Sequence, residues 1–143
     1  RATSNYSYHI RNFTGKGFLC VGDAHRFIDP IFSFGLHFAL TEGHLAANAI
    51  NGYLREGVGR DEENPFAEYE RYCELGMDTI QDVLDCFWDQ PISFAFFVHS
   101  RYVDDFIDLF AGRVYQEVPS RGLQAIRKVN AKVAAEATMA LAA

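Results

Sequence analysis

Asp23 is the carboxylate best placed for chemistry in this sequence. It follows a short apolar run, Phe18-Leu19-Cys20-Val21, and a glycine, Gly22, and it precedes a turn at Asp29-Pro30 and an apolar helix that opens near Gly35. A buried strand that feeds an acidic turn and then a helix N-terminus presents one carboxylate and a set of backbone N–H groups to a ligand. Such a ligand is polar and at least partly anionic. On residue types alone the same stretch also suits a capped turn in which Asp23 satisfies local N–H groups, because Asp and Gly are ordinary turn residues.

Other chemistries find less support. His37 and His44 share a helical face, but no carboxylate or cysteine stands at matching spacing, so no metal site is predicted. His37 keeps an interest of its own, since an imidazole in the first turn of the helix could bias ligand chemistry around pH 7. A Ser33 and His37 couple lacks a third orienting group, and there is no G-x-S-x-G nucleophile turn. No catalytic residue is identifiable in this chain.

The order Gly22-Asp23-Ala24, Asp29-Pro30 and Ser33-Phe34-Gly35-Leu36-His37 resembles the second FAD-binding signature of flavin monooxygenases of the p-hydroxybenzoate hydroxylase type. The longer run DPIFSFGLHFAL, with Tyr6-Ser7-Tyr8 upstream, is most similar to the flavin-dependent halogenase branch, over roughly the first third of the chain. The resemblance implies FAD as cofactor. Gly22 and Asp23 would meet its ribityl chain, Pro30 would lie against the isoalloxazine ring, and the N–H groups of Gly35, Leu36 and His37 would face its pyrimidine end. The positive end of the helix dipole agrees, since it favours the reduced, anionic flavin. By the same resemblance Ser33, Phe34 and Gly35 sit beside a chloride site, although Phe34 stands where the family usually has a small hydroxyl residue. Trp88, Phe94 and Phe97 would line an aromatic substrate pocket; for each, an ordinary place in an aromatic core is the alternative.

Composition limits the partners. The 143 residues suffice for one domain with a sizeable core, and the aromatic fraction of 15% suggests a pocket wall or interface as well. A net charge of -6 argues against nucleic acid or an anionic membrane. No apolar stretch reaches the ~20 residues of a membrane span. Cys20, Cys73 and Cys86, odd in number and without metal spacing, read as buried free thiols of a reducing, cytoplasmic protein.

The elements that must position these residues follow from periodicity. Tyr6 to Phe13 alternates as a half-exposed strand, and with Phe18 to Val21 it predicts an antiparallel hairpin around Thr14-Gly15-Lys16-Gly17. The helix from Gly35 to about Leu54 is apolar nearly all round at its start, which predicts burial on most sides, with Gly43 against another backbone. Gly57 to Glu63 is a polar linker and the boundary between 1–57, the closing part of a FAD-binding domain, and 58–143, a helical region. Asn64-Pro65 caps an amphipathic helix of about six turns whose acidic face reads as solvated surface. Asp89-Gln90-Pro91 breaks it, a short helix ends at Gly112, and Ser120 caps a last one.

The predicted fold is therefore α+β: mostly helical with an N-terminal β-hairpin, the C-terminal part of a larger FAD-binding α/β flavoprotein. No G-x-G-x-x-G follows a strand, so the dinucleotide-binding half is expected upstream. The resemblance implies a halogenase that acts on a phenol- or pyrrole-type substrate, carried or free, through a flavin hydroperoxide, with a flavin reductase as partner. Two alternatives stay open. Phe34 favours a FAD-dependent hydroxylase or reductase without halide, and a chain lacking the dinucleotide half could instead be a helical interaction module with no cofactor.

Overall fold

A computed structural model describes residues 7–141, so Tyr6, part of the predicted first strand, lies outside the described residues. The contacts divide the chain into two units, Arg1–Met77 and Asp78–Ala143, and the dividing point falls inside a helix rather than in the polar segment at Gly57. No helix among the described residues is long and apolar enough to cross a membrane.

The strands of the first unit are short and pair differently from the expected hairpin. β1 (Tyr8–His9) is antiparallel to β4 (Arg26–Phe27), and β2 (Thr14–Gly15) is antiparallel to β3 (Phe18–Leu19). The alternation from Tyr6 to Phe13 misleads because Tyr8, His9 and Ile10 are all exposed, while Phe13, on the supposed half-exposed strand, is wholly buried. Of the predicted hairpin, the turn and the second strand hold as β2 and β3, with Cys20 N–H donating to the Phe13 carbonyl at 2.8 Å, while Tyr8–His9 pairs elsewhere.

After β4 the chain makes a 3₁₀ turn, Pro30–Phe32, opened by Asp29, whose carboxylate accepts the N–H of Ile31 at 3.0 Å. α1 (Gly35–Asn51) follows and runs into a π-helical turn, Gly52–Glu56, that stops at Gly57 with φ 74°. Leu36 is 72% and Leu40 67% exposed, so α1 is not buried on most sides. Its inner face is the row Phe38, Glu42, Ala46, and those three are its buried residues. A Cβ at Gly43 would meet nothing within 4 Å, so the expected close approach of another backbone is absent there. The core of this unit gathers Phe13, Ala46, Phe66, Tyr69 and Cys73.

α2 (Ala67–Asp89) starts where Asn64 and Pro65 predict, with the Asn64 side-chain oxygen accepting the N–H of Phe66 at 3.0 Å. Its apolar stripe Tyr69, Cys73, Met77, Ile80 and Leu84 is buried as the spacing requires. In the second unit α3 (Pro91–Phe96), a π turn at Phe97–Arg101 and α4 (Val103–Phe110) lead through an irregular segment to α5 (Arg121–Leu141). Ser120 Oγ accepts the N–H of Leu123 at 3.2 Å, and Asp105 on α4 accepts that of Gly122 at 2.6 Å, so two side chains close the α5 N-terminus. Arg127 on α5 reaches Asp82 at 2.6 Å.

Candidate functional site

Gly22 begins the construction, because only a residue without Cβ suits its place. Its φ is 59°, and a Cβ there would stand 3.2 Å from that of Ala39 on α1. The 3₁₀ turn Gly22–Ala24 therefore lies directly on α1. Asp23, next in sequence, is exposed, and its carbonyl accepts the Tyr8 hydroxyl. The turn thus holds its backbone against the protein and leaves its carboxylate outside.

The mouth of α1 opens beside it. Ser33 takes a left-handed conformation, φ 58°, and turns the chain from the Pro30–Phe32 turn into the helix. The first α1 hydrogen bond runs from Phe38 N–H to the Phe34 carbonyl at 3.0 Å, so the N–H groups of Gly35, Leu36 and His37 precede it, and Phe34 at the N-cap makes no side-chain capping bond. A Cβ at Gly35 would meet nothing within 4 Å. Gly22, Asp23, Asp29, Pro30, Phe34 and Gly35 line one cleft. The structure brings together the carboxylate, the proline and the helix mouth that the sequence singles out.

That cleft is small. Its volume of about 40 Å³ is far below the roughly 300 Å³ at which small-molecule pockets begin. A flavin could lie across its rim but not inside it, so these residues amount to one wall of a site. The donor set fits such a group: an exposed carboxylate for hydroxyls, a proline for a ring face and helix N–H groups for carbonyl or anionic edges. Phe34 is buried, edge-on to His37 at 5.8 Å and against Phe38 at 5.7 Å. Its phenyl ring belongs to the core and does not block the turn.

The aromatic candidates belong to the second unit. Phe94 is only 9% exposed and packs against Phe87 at 5.3 Å and Phe106 at 6.2 Å, so its ring is taken up by the core of that unit and offers no free face. Trp88 keeps 57% of its surface exposed, edge-on to Phe87 at 4.9 Å. Phe97 is half-buried between Phe96 and Tyr102.

Beneath the Asp23 turn lies a group of residues that sequence reasoning missed. Glu42 is wholly buried on the inner face of α1, where its Oε2 accepts the N–H of Gly22 at 2.5 Å and its Oε1 stands 3.2 Å from His25 Nδ1. The His25 ring stacks on Phe13 with centroids 3.6 Å apart. Its Nε2 faces Glu74 Oε1 at 3.5 Å, an ion-pair contact longer than a hydrogen bond. Glu74 on α2 also takes His9 Nε2 at 2.6 Å and Arg26 Nη1 at 3.0 Å. Burial would lower the His25 pKa, but Glu42 and Glu74 outweigh it and raise it above 6.5. Burial would likewise raise that of Glu74, yet the neighbouring His25 and the hydrogen-bonded His9 hold it down at about 2.

One sequence expectation changes with this network: Glu74, on the face of α2 read as solvated surface, is an ion-pair hub. The available signal was Glu42 itself, a carboxylate spaced four residues from Phe38 and from Ala46 on the buried stripe of α1. His9, His25 and Glu74 offer three ligand atoms within 4.8 Å of one another. Two donors held by one tetrahedral ion at ~2.1 Å stand about 3.4 Å apart, whereas His9 Nε2 and Glu74 Oε1 are at hydrogen-bond distance, 2.6 Å. The cluster has the geometry of an ion-pair network.

No protein-family model matches the chain. Among curated proteins it is 39% identical over 113 residues to a 1H-pyrrole-2-carbonyl-(peptidyl-carrier protein) brominase of Pseudoalteromonas luteoviolacea, covering 78% of this chain and 27% of that protein. It is 31% identical over 133 residues to a 1H-pyrrole-2-carbonyl-(peptidyl-carrier protein) chlorinase of Pseudomonas fluorescens, covering 91% and 29%. The solved structure of the flavin-dependent brominase Bmp2 superimposes with a TM-score of 0.81 at 34% identity, over 91% of this chain and 32% of that one. The chain thus spans under a third of the length of each of these relatives. By sequence and by fold together, it belongs to the flavin-dependent halogenase family and corresponds to a part of its members' length.

Proposed function

We propose that this chain forms one wall of the FAD site of a flavin-dependent halogenase. The observation that carries the reading is the shared cleft: Asp23, Pro30 and the mouth of α1 lie around one opening, with Gly22 and Gly35 also in its lining. Asp23 would accept hydrogen bonds from ribityl hydroxyls, Pro30 would back the ring, and the N–H groups of Gly35, Leu36 and His37 would face the pyrimidine edge. When bound and reduced, the flavin supplies the oxygen activation that halide oxidation needs. The residues here orient it and, through the helix dipole, favour its anionic form.

The backbone of Ser33, Phe34 and Gly35 is the proposed halide contact. With the Phe34 ring buried, the turn needs no small hydroxyl residue to stay accessible, which weakens the case for a hydroxylase without halide. The activities for which the relatives are named favour a pyrrole-type substrate on a carrier protein, and a flavin reductase is the proposed source of reduced flavin. Trp88 and Phe97, with surface to spare, are the proposed aromatic walls. Phe94, packed against Phe87 and Phe106, belongs to the core of that unit.

The reading is tested in the intact protein with Asp23→Ala. FAD released on denaturation and FAD affinity by fluorescence titration should both fall, and product masses with bromide and with chloride should shift by the halogen. A colourless parent protein with no affinity for FAD sinks the flavin assignment. A halide-independent product that gains only oxygen sinks the halogenase part alone.

A further inference from the structure

The turn that carries Asp23 has few bonds of its own: Ala24 N–H reaches the Val21 carbonyl at 3.3 Å and His25 N–H the Gly22 carbonyl at 2.9 Å. Most of what fixes it comes from outside. Glu42 uses one carboxylate oxygen for Gly22 N–H and faces His25 with the other, so one side chain of α1 grips the residues on both sides of Asp23-Ala24. Tyr8 adds a third support at the Asp23 carbonyl. We propose that Glu42, with His25 as its counter-charge, is a positioning residue for the flavin, fixing the Asp23 turn against the helix whose N-terminus faces the same ligand.

The chemistry of position 42 supports this over a purely structural role. An apolar residue there would pack as well beside Phe38 and Ala46 but would leave the buried Gly22 N–H without an acceptor. A buried carboxylate needs a compensating charge, and His25 supplies it, steadied by Phe13 on one face and by Glu74 at its far nitrogen. The groups facing His25 are Glu42 from α1, Glu74 from α2 and His9 from β1, with Arg26 balancing Glu74. An Asp23 held in place before the ligand arrives need not be ordered during binding, and that preorganisation raises affinity.

The inference rests on the flavin reading, and a double-mutant cycle separates the two. FAD affinity of the intact protein is measured for the parent, Asp23→Ala, Glu42→Gln and the double variant. Gln keeps an oxygen for Gly22 N–H but offers His25 no charge. A support acts only through what it supports, so Glu42→Gln is expected to weaken binding about tenfold in the parent and less than about twofold beside Asp23→Ala. Equal losses in both backgrounds, or no loss in the parent, overturn the inference. Parent affinity in Asp23→Ala overturns the flavin reading and takes the inference with it. If Glu42→Gln does not fold, His25→Gln replaces it. Hydrogen exchange at the Gly22 amide, slow in the parent, should then quicken about tenfold or more, and unchanged exchange overturns the proposal.

Discussion

Glu42 and Gly22, twenty residues apart, are joined by a 2.5 Å hydrogen bond from a buried backbone N–H to a buried carboxylate. Through that bond the most polar residue of the α1 inner face becomes the fastening of the turn that carries the exposed Asp23. Packing and site geometry are therefore coupled, and the stability of this unit and the order of its ligand wall should change together.

Gly22→Ala tests the coupling from the backbone side. The substitution puts a Cβ 3.2 Å from that of Ala39 and forces a left-handed conformation on an L-residue. A loss of about 1–3 kcal/mol is expected, read as a lower midpoint in denaturant at constant slope. Adding Ala39→Gly relieves the crowding but not the φ of 59°, so the double variant should recover only part of the loss. Full recovery would show that crowding alone demands the glycine.

The His25 and Glu74 ion pair sets a pH window. Glu74 is held at about 2 against 4.5 for an ordinary glutamate, so its contribution is present above pH 4.5 and fades as pH falls toward 2. His25 is raised above 6.5, so its contribution is full below 6.5 and is lost as pH rises through its folded value. Stability of the first unit should peak between about pH 4.5 and 6.5. In melting curves across pH, Glu74→Gln should flatten the acid limb and His25→Gln the neutral one. Identical profiles for all three proteins would refute the assignment.

The thiols should separate by reactivity. Burial, with Glu42 nearby, pushes the Cys73 thiol up to about 12, and burial, with Asp89 nearby, pushes that of Cys86 up to about 11. Both are buried, whereas Cys20 is half-buried. Alkylation at pH 8 followed by peptide mass analysis should therefore mark Cys20 first in the native protein and all three after denaturation. Labelling of Cys73 as fast as Cys20 would contradict the packed core around Phe13 and Tyr69.

What the sequence makes legible is local. The Asn64 cap, the α2 stripe, the break at Pro91, the Gly112 stop and the Ser120 cap each follow from a residue acting on its near neighbours, and each appears where the residues require. The carboxylate, proline and helix mouth around the cleft were legible for the same reason, in order along one short stretch. Pairings between distant residues were not. Nothing in the alternation of Tyr8, His9 and Ile10 tells that β1 seeks Arg26–Phe27 instead of the next strand. The His25–Glu42–Glu74 network joins three elements, and its charges resembled surface until the fold enclosed them. Leu36 and Leu40 mislead in the opposite sense, because apolarity shows that a face avoids water but not which residues cover it.

The α5 terminus offers a last prediction, independent of the cofactor. Two acceptors serve it: Ser120 for Leu123 N–H and Asp105 for Gly122 N–H. A Cβ at Gly122 would lie 3.1–3.2 Å from Phe106, Tyr102 and Asp105, so α4 and α5 touch at this point and Asp105 cannot be replaced there by water without separating them. Ser120→Ala should cost about 1 kcal/mol, the usual worth of a cap. Asp105→Ala should cost more, about 1–3 kcal/mol, because it also leaves a part-buried N–H without an acceptor. Both losses are read by chemical denaturation of the intact protein, with hydrogen exchange locating them. A smaller loss for Asp105→Ala than for Ser120→Ala would mean that the carboxylate only decorates a terminus the serine already closes.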